Sequence, residues 1–151
     1  MPNGRSLDND HYRYKLDWMA RLRQHVAAEN AATDPVIVMG DFNIAPDDRD
    51  IWDTKGYEAG THVSQPERDS LNALAEWGMV DLFRQHHEEA GLFSWWDYRG
   101  GDFHKGHGMR IDLVLGTKSV ADRCSFAIVD RNARKGQQPS DHAPVLVDLD
   151  V

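Results

Sequence analysis

Apolar residues recur along this chain in two rhythms. Between His11 and Glu29, Tyr12, Leu16, Met19, Leu22 and Val26 return at near-helical spacing, with charged residues on the other face. That spacing predicts an amphipathic helix, and Pro35 cannot continue it. A second helix is predicted from Ser64. Serine suits the N-cap, Pro66 the first turn, and Glu67 stands three residues after the cap. Leu71, Leu74 and Ala75 would form its buried face, and Gly78 sits where it would stop. The other rhythm is short and extended. Val36 to Met39 predicts a buried strand, after which Gly40 frees the backbone to bend. Val80 to Phe83 is a short apolar piece, and Leu92–Tyr98, Arg110–Leu115, Cys124–Val129 and Val145–Leu149 read as further strands. About five strands and two long helices predict an α+β domain over residues 1–151, or a sandwich with outer helices. The chain opens on a turn signal, Pro2-Asn3-Gly4, with no element before it, which reads as a cut inside a larger protein.

Several polar residues interrupt this pattern. Asp41 and Asn43 are two apart at a strand end, so extended backbone would point both the same way. Both also suit a simple strand-end turn. Asp112 stands inside Ile-Asp-Leu-Val-Leu, where a carboxylate is awkward unless it faces outward or finds a partner. Asp141-His142 precedes Pro144, which biases Ala143 towards extended geometry; a capped turn is the plainer reading. As one site, these groups suit phosphate chemistry. Asp112 would orient His142 and favour its protonated form. His142 would meet a phosphate oxygen as charge develops. Asp141 would hold a divalent cation such as Mg²⁺. Asp41 would orient or deprotonate a water, and Asn43 would hydrogen-bond the phosphate. Two other features predict less. The acidic stretch Asp47-Asp48-Arg49-Asp50 reads as a solvated turn rather than a metal loop. His86-His87 do not share a helix face, so a paired ligand role is disfavoured.

Composition narrows the class. The 151 residues carry a net charge of −8, unlike a nonspecific basic nucleic-acid binder, so a phosphate partner must be met by a local patch or a metal. One cysteine, Cys124, excludes an internal disulfide and suggests a reducing compartment. No apolar run approaches membrane-spanning length, and a cytoplasmic location is expected.

Three motifs, in order, carry a family likeness. Gly40-Asp-Phe-Asn-Ile44, Arg110-Ile-Asp-Leu-Val-Leu115 and Ser140-Asp-His-Ala-Pro-Val145 closely resemble the exodeoxyribonuclease III family. Pro2-Asn-Gly-Arg5, Trp77-Gly-Met-Val-Asp-Leu-Phe-Arg84 and Phe93-Ser-Trp-Trp-Asp-Tyr-Arg99 agree with it. The resemblance implies Mg²⁺- or Mn²⁺-dependent abasic-site endonuclease and 3′→5′ exonuclease chemistry on double-stranded DNA. It implies Asp41 as the water-orienting acid, Asn43 as the phosphate amide, Asp112 paired with His142, and Asp141 as a metal ligand. Phe93 and Trp95 would lie beside the abasic sugar; plain core packing is the alternative for these aromatics. Arg99 would also contact the substrate; salt-sensitive DNA binding through Arg99, Lys105, Arg110 and Arg131 to Lys135, without cleavage, would instead mark a non-catalytic fragment.

Family members are nearly twice as long. Their first half supplies a second, face-to-face sheet, an upstream Asn, the principal Glu metal ligand and a Tyr. The resemblance therefore implies one half of a four-layer α/β/β/α sandwich, with two helices on one face. Its other face would be bare, so self-association or a complementary N-terminal half is expected. Mg²⁺ binding to a single carboxylate is expected to be weak. Two other readings stand beside the nuclease: a phosphodiesterase or phosphatase on a non-DNA substrate, and a non-catalytic DNA-binding or interaction fragment.

Overall fold

The computed structural model describes residues 1–56 and 60–150. Helix α1 spans Asp10–Glu29, with the Asn9 side chain accepting from His11 N–H at 2.9 Å. Helix α2 spans Gln65–Trp77, and Glu67 Oε2 reaches back to the Ser64 N–H at 3.1 Å, as the capping pattern predicts. It ends at Gly78, whose φ of 127° is the left-handed geometry glycine tolerates. Leu71 and Leu74 are buried as expected, whereas Ala75 is exposed.

Strands β1 (Ile37–Asp41), β2 (Met79–Asp81) and β3 (Asp112–Thr117) form an antiparallel sheet in the order β1-β3-β2. Strands β4 (Cys124–Val129) and β5 (Val145–Leu149) form a separate antiparallel pair. The helices cover one face of the larger sheet. There Met19, Val26, Leu71 and Leu74 pack with Leu113 and Leu115, and Val38 joins them. Burying each such side chain stabilises by roughly 1.5–3 kcal/mol. Strand alternation sends the remaining residues of β1 the other way. Met39 is 73% exposed and Ile37 40%. The run Val36 to Met39 is thus buried on one side only.

Three other expectations change. Leu92–Tyr98 is not a continuous strand. Trp95 makes isolated bridges to Met109 and to His142, because the segment crosses between two neighbours and pairs briefly with each. Gly108 permits the crossing: a Cβ there would stand 2.5 Å from Trp96 Nε1. The acidic stretch is not wholly solvated either. Asp50 ends a short 3₁₀ turn, Asp48–Asp50, and is fully buried. It accepts from Arg110 Nε at 2.6 Å and from Arg84 Nη2 at 2.5 Å, while Arg110 Nη2 reaches Asp81 at 2.7 Å. Arg110, a DNA contact in the non-catalytic reading, is instead a buried brace whose guanidinium also lies over the Phe83 ring. His86 and His87 hold the backbone of β4, through Cys124 O at 3.1 Å and Ala127 O at 2.7 Å. Among the described residues, no helix is long and apolar enough to cross a membrane.

Candidate active site

Antiparallel register sets Asp41, the last residue of β1, directly opposite Asp112, the first of β3. Past Asp41 the chain turns sharply. Asn43 has a φ of 50°, a conformation that Asn adopts more readily than most residues. The turn closes on Asp41: its Oδ1 accepts the Asn43 N–H and its Oδ2 the Asn43 side-chain amide, both at 2.7 Å. Burial raises the Asp41 pKa, although the Asn43 backbone N–H opposes it and the facing Asp112 charge adds to it.

Asp112 finds its partner in His142. Nδ1 lies 2.9 Å from Oδ2 and 3.1 Å from Oδ1. The hydrogen bond to Asp112 raises the His142 pKa against the pull of burial, and the charges of Asp112, Asp41 and Asp141 act in the same direction. With Nδ1 tied to the carboxylate, Nε2 is left to act outward.

Asp141 lies one residue away, held from two sides. Trp95 Nε1–H donates to its Oδ2 at 3.0 Å, and its carbonyl accepts from Trp96 N–H at 3.0 Å and from Arg134 Nη1 at 3.1 Å. Its oxygens are the hard donors that Mg²⁺ selects. No group of three or more potential metal-ligating His, Cys, Asp or Glu side chains occurs among the described residues. The donors fit a water-rich ion with few protein ligands, not a closed cage.

The remaining predicted residues stand apart from this cluster. Phe93 is buried against Trp96 and Ala143. Arg99 has a side chain 92% exposed and pairs with Asp97 at 2.9 Å. Arg131 and Arg134 lie over the Trp96 and Phe103 rings, a cation–π stack behind the Asp141 loop.

Four supports escaped the sequence reading. Ser94 is fully buried, and its Oγ accepts the N–H groups of both Ile111 and Asp112 at 3.1 Å. Asn3 donates to Asn43 Oδ1 at 3.1 Å. His62 sits beside them; its Nδ1 lies 2.6 Å from Thr61 O, and its Nε2 lies 3.2 Å from Asn43 Oδ1 and 3.3 Å from Asn3 Nδ2. Burial, then the Lys15 charge, lowers the His62 pKa. The fourth support is Lys15 with Glu67. Both are fully buried and ion-paired, and Lys15 Nζ also donates to Asn43 O at 2.6 Å. Burial lowers the Lys15 pKa, while Glu67 opposes it. One signal was available: Lys15 falls on the same helical stripe as Tyr12 and Met19.

The model of the endonuclease/exonuclease/phosphatase family matches residues 4–142. The chain belongs to that family. Exodeoxyribonuclease III of Haemophilus influenzae is 33% identical over 142 residues, covering 89% of this chain and 53% of that protein. A solved structure of the 3′ phosphatase NExo from Neisseria, bound to product DNA hairpin, superimposes with a TM-score of 0.96 at 36% identity, over 99% of this chain and 58% of its own. An AP endonuclease from Archaeoglobus fulgidus gives a TM-score of 0.95 at 30% identity, covering 99% of this chain and 59% of its own. The chain spans about half the length of the curated relatives it matches. The helix-covered sheet accordingly corresponds to one half of the family's fold.

Proposed function

We propose that this chain carries part of the active site of a Mg²⁺-dependent (or Mn²⁺-dependent) nuclease that hydrolyses phosphodiester bonds in double-stranded DNA, at abasic sites or from 3′ ends. The observation that carries the reading is the contact between His142 and Asp112, with Asp112 directly across the β1–β3 ladder from Asp41. In this reading Asp41 accepts a proton from the attacking water, and its raised pKa brings its basicity closer to that task. As the water oxygen bonds to phosphorus and the ester oxygen departs, the protonated His142 donates from Nε2 to a phosphoryl oxygen. Asp112 keeps that imidazole charged and oriented. Asn43 would turn to the phosphate the amide that here donates to Asp41 Oδ2, and Asp141, held by Trp95, would be the ligand for Mg²⁺. The ion, when bound, neutralises phosphate charge. Trp95 would stand by the abasic sugar, with Phe93 packed behind Trp96 and Ala143, and the exposed Arg99 would leave Asp97 to reach the DNA backbone.

One relative is described as a 3′ phosphatase, which supports a second reading: removal of a 3′-phosphate by the same groups. Three duplexes separate these: one with an abasic site, one with a recessed 3′-hydroxyl and one with a 3′-phosphate. Cleavage of any by the purified chain with Mg²⁺, lost by about 100-fold or more in Asp41→Asn or His142→Ala, supports the assigned roles. DNA binding with no turnover at any Mg²⁺ concentration favours the non-catalytic fragment instead. If the wild type is silent, adding in trans the half that the longer relatives possess is the deciding step.

The exposed face with Ile37 and Met39 supports a partner. We infer that it is covered by a second copy of the chain or by a polypeptide equivalent to that other half. A cytoplasmic location suits this chemistry and the single thiol of Cys124.

A further inference from the structure

The members of the Asp112–His142 pair belong to different parts of the fold. Asp112 begins β3 in the larger sheet, whereas His142 lies in the loop before β5 in the separate two-stranded pair. No shared ladder sets their separation. Ser94 touches both sides. Its N–H donates to Met109 O at 2.9 Å, and its Oγ accepts from Ile111 and Asp112 N–H, each at 3.1 Å. Its carbonyl accepts from Ala143 N–H at 2.7 Å, directly after His142. The next residue, Trp95, bridges Met109 and His142 in the same sense.

We propose that Ser94 is a positioning residue that fixes Asp112 and His142 relative to each other, acting through their backbones without touching substrate. The chemistry of the position explains why a hydroxyl stands there. One hydroxyl oxygen has two lone pairs and can receive both N–H groups. Alanine has no acceptor, and a thiol is a weak one. Threonine keeps the oxygen. With the acceptor gone, two adjacent amides lose their anchor, and the Asp112 carboxylate is free to drift from the imidazole. A drift of about 1 Å between reacting groups can cost ~100-fold in rate.

The inference rests on the proposed nuclease reading only for its effect on rate; the positioning itself is measured without substrate. The first measurement is the downfield proton resonance of the His142 Nδ1–H held by Asp112. It is expected to shift or vanish in Ser94→Ala and to persist in Ser94→Thr. The second is amide exchange, expected to quicken in Ser94→Ala at Ile111 and Asp112 while Leu113 to Leu115 stay protected. On an active duplex, kcat is expected to fall ~10- to 100-fold in Ser94→Ala with KM within about twofold. Should Ser94→Thr not fold, the resonance and the exchange pattern in Ser94→Ala decide alone. An unchanged imidazole resonance in Ser94→Ala overturns the proposal, as does faster exchange spread evenly along β3. A chain inactive on every duplex, both alone and with the other half added in trans, sinks the nuclease reading but leaves both spectroscopic outcomes to be read.

Discussion

His142 Nδ1 lies 2.9 Å from Asp112 Oδ2, across 30 residues of chain. The bond raises the His142 pKa above its ordinary value of 6.5. A histidine whose folded pKa exceeds its unfolded one adds stability below the unfolded value and loses it as pH rises through the folded value. Asp112→Asn is therefore expected to lower the melting temperature most in mildly acidic solution, with the gap to wild type narrowing as pH increases. Thermal melts across that range check it, and a gap independent of pH would contradict the linkage.

The same groups set the pH dependence of rate. Asp41 must be ionised to accept a proton, and burial raises its pKa above 3.8. His142 must be charged, and its pKa is also raised. The profile of kcat/KM against pH is expected to be bell-shaped, with the acid limb from Asp41 and the alkaline limb from His142. In Asp112→Asn the alkaline limb is expected to move to lower pH while the acid limb stays on the acid side. An alkaline limb left in place would detach His142 from the reaction.

Lys15 and Glu67 are ion-paired with no exposure of either side chain. Truncating one partner strands the other charge, at a cost of about 3–5 kcal/mol. Lys15→Met is expected to show that loss in urea denaturation. Lys15→Met combined with Glu67→Gln, which removes the charge but keeps an acceptor for the Ser64 and His62 N–H groups, is expected to recover most of it. Additive losses in the double variant would mean that the pair holds its neighbours by shape alone.

Asp50 is a comparable hub, receiving Arg110 and Arg84 together. Asp50→Ala is expected to destabilise by about 3–5 kcal/mol, because two buried or half-buried guanidinium groups lose their shared partner. Arg110→Met is expected to weaken folding while leaving the salt dependence of DNA binding unchanged, since that side chain does not reach solvent. A reduced salt slope in a folded Arg110→Met protein would return this residue to the DNA interface.

Met39 is the most exposed of the large apolar residues on the open side of the sheet. Light scattering behind a sizing column is expected to show association of the wild-type chain, and Met39→Lys is expected to reduce it. A monomeric wild type with a cooperative melt would remove the case for a covered face. Titration calorimetry with Mg²⁺ is expected to show binding weaker than micromolar, as few protein ligands imply.

Local physics in the chain was enough to specify both helices, the Ser64–Glu67 cap, the Gly78 stop and the two C-terminal strands, because spacing and capping depend on neighbours a few residues away. Motif order also marked Asp41, Asn43, Asp112, Asp141 and His142 as residues to watch. The resemblance had already paired Asp112 with His142; only the tertiary structure decided that the two touch, that Ser94 ties their backbones, and that Arg110 and Lys15 turn inward to buried carboxylates. Those relations join residues between 18 and 60 positions apart. Hydropathy alone sends a lysine or arginine outward, and an inward turn becomes favourable only when a distant part of the fold supplies the matching charge.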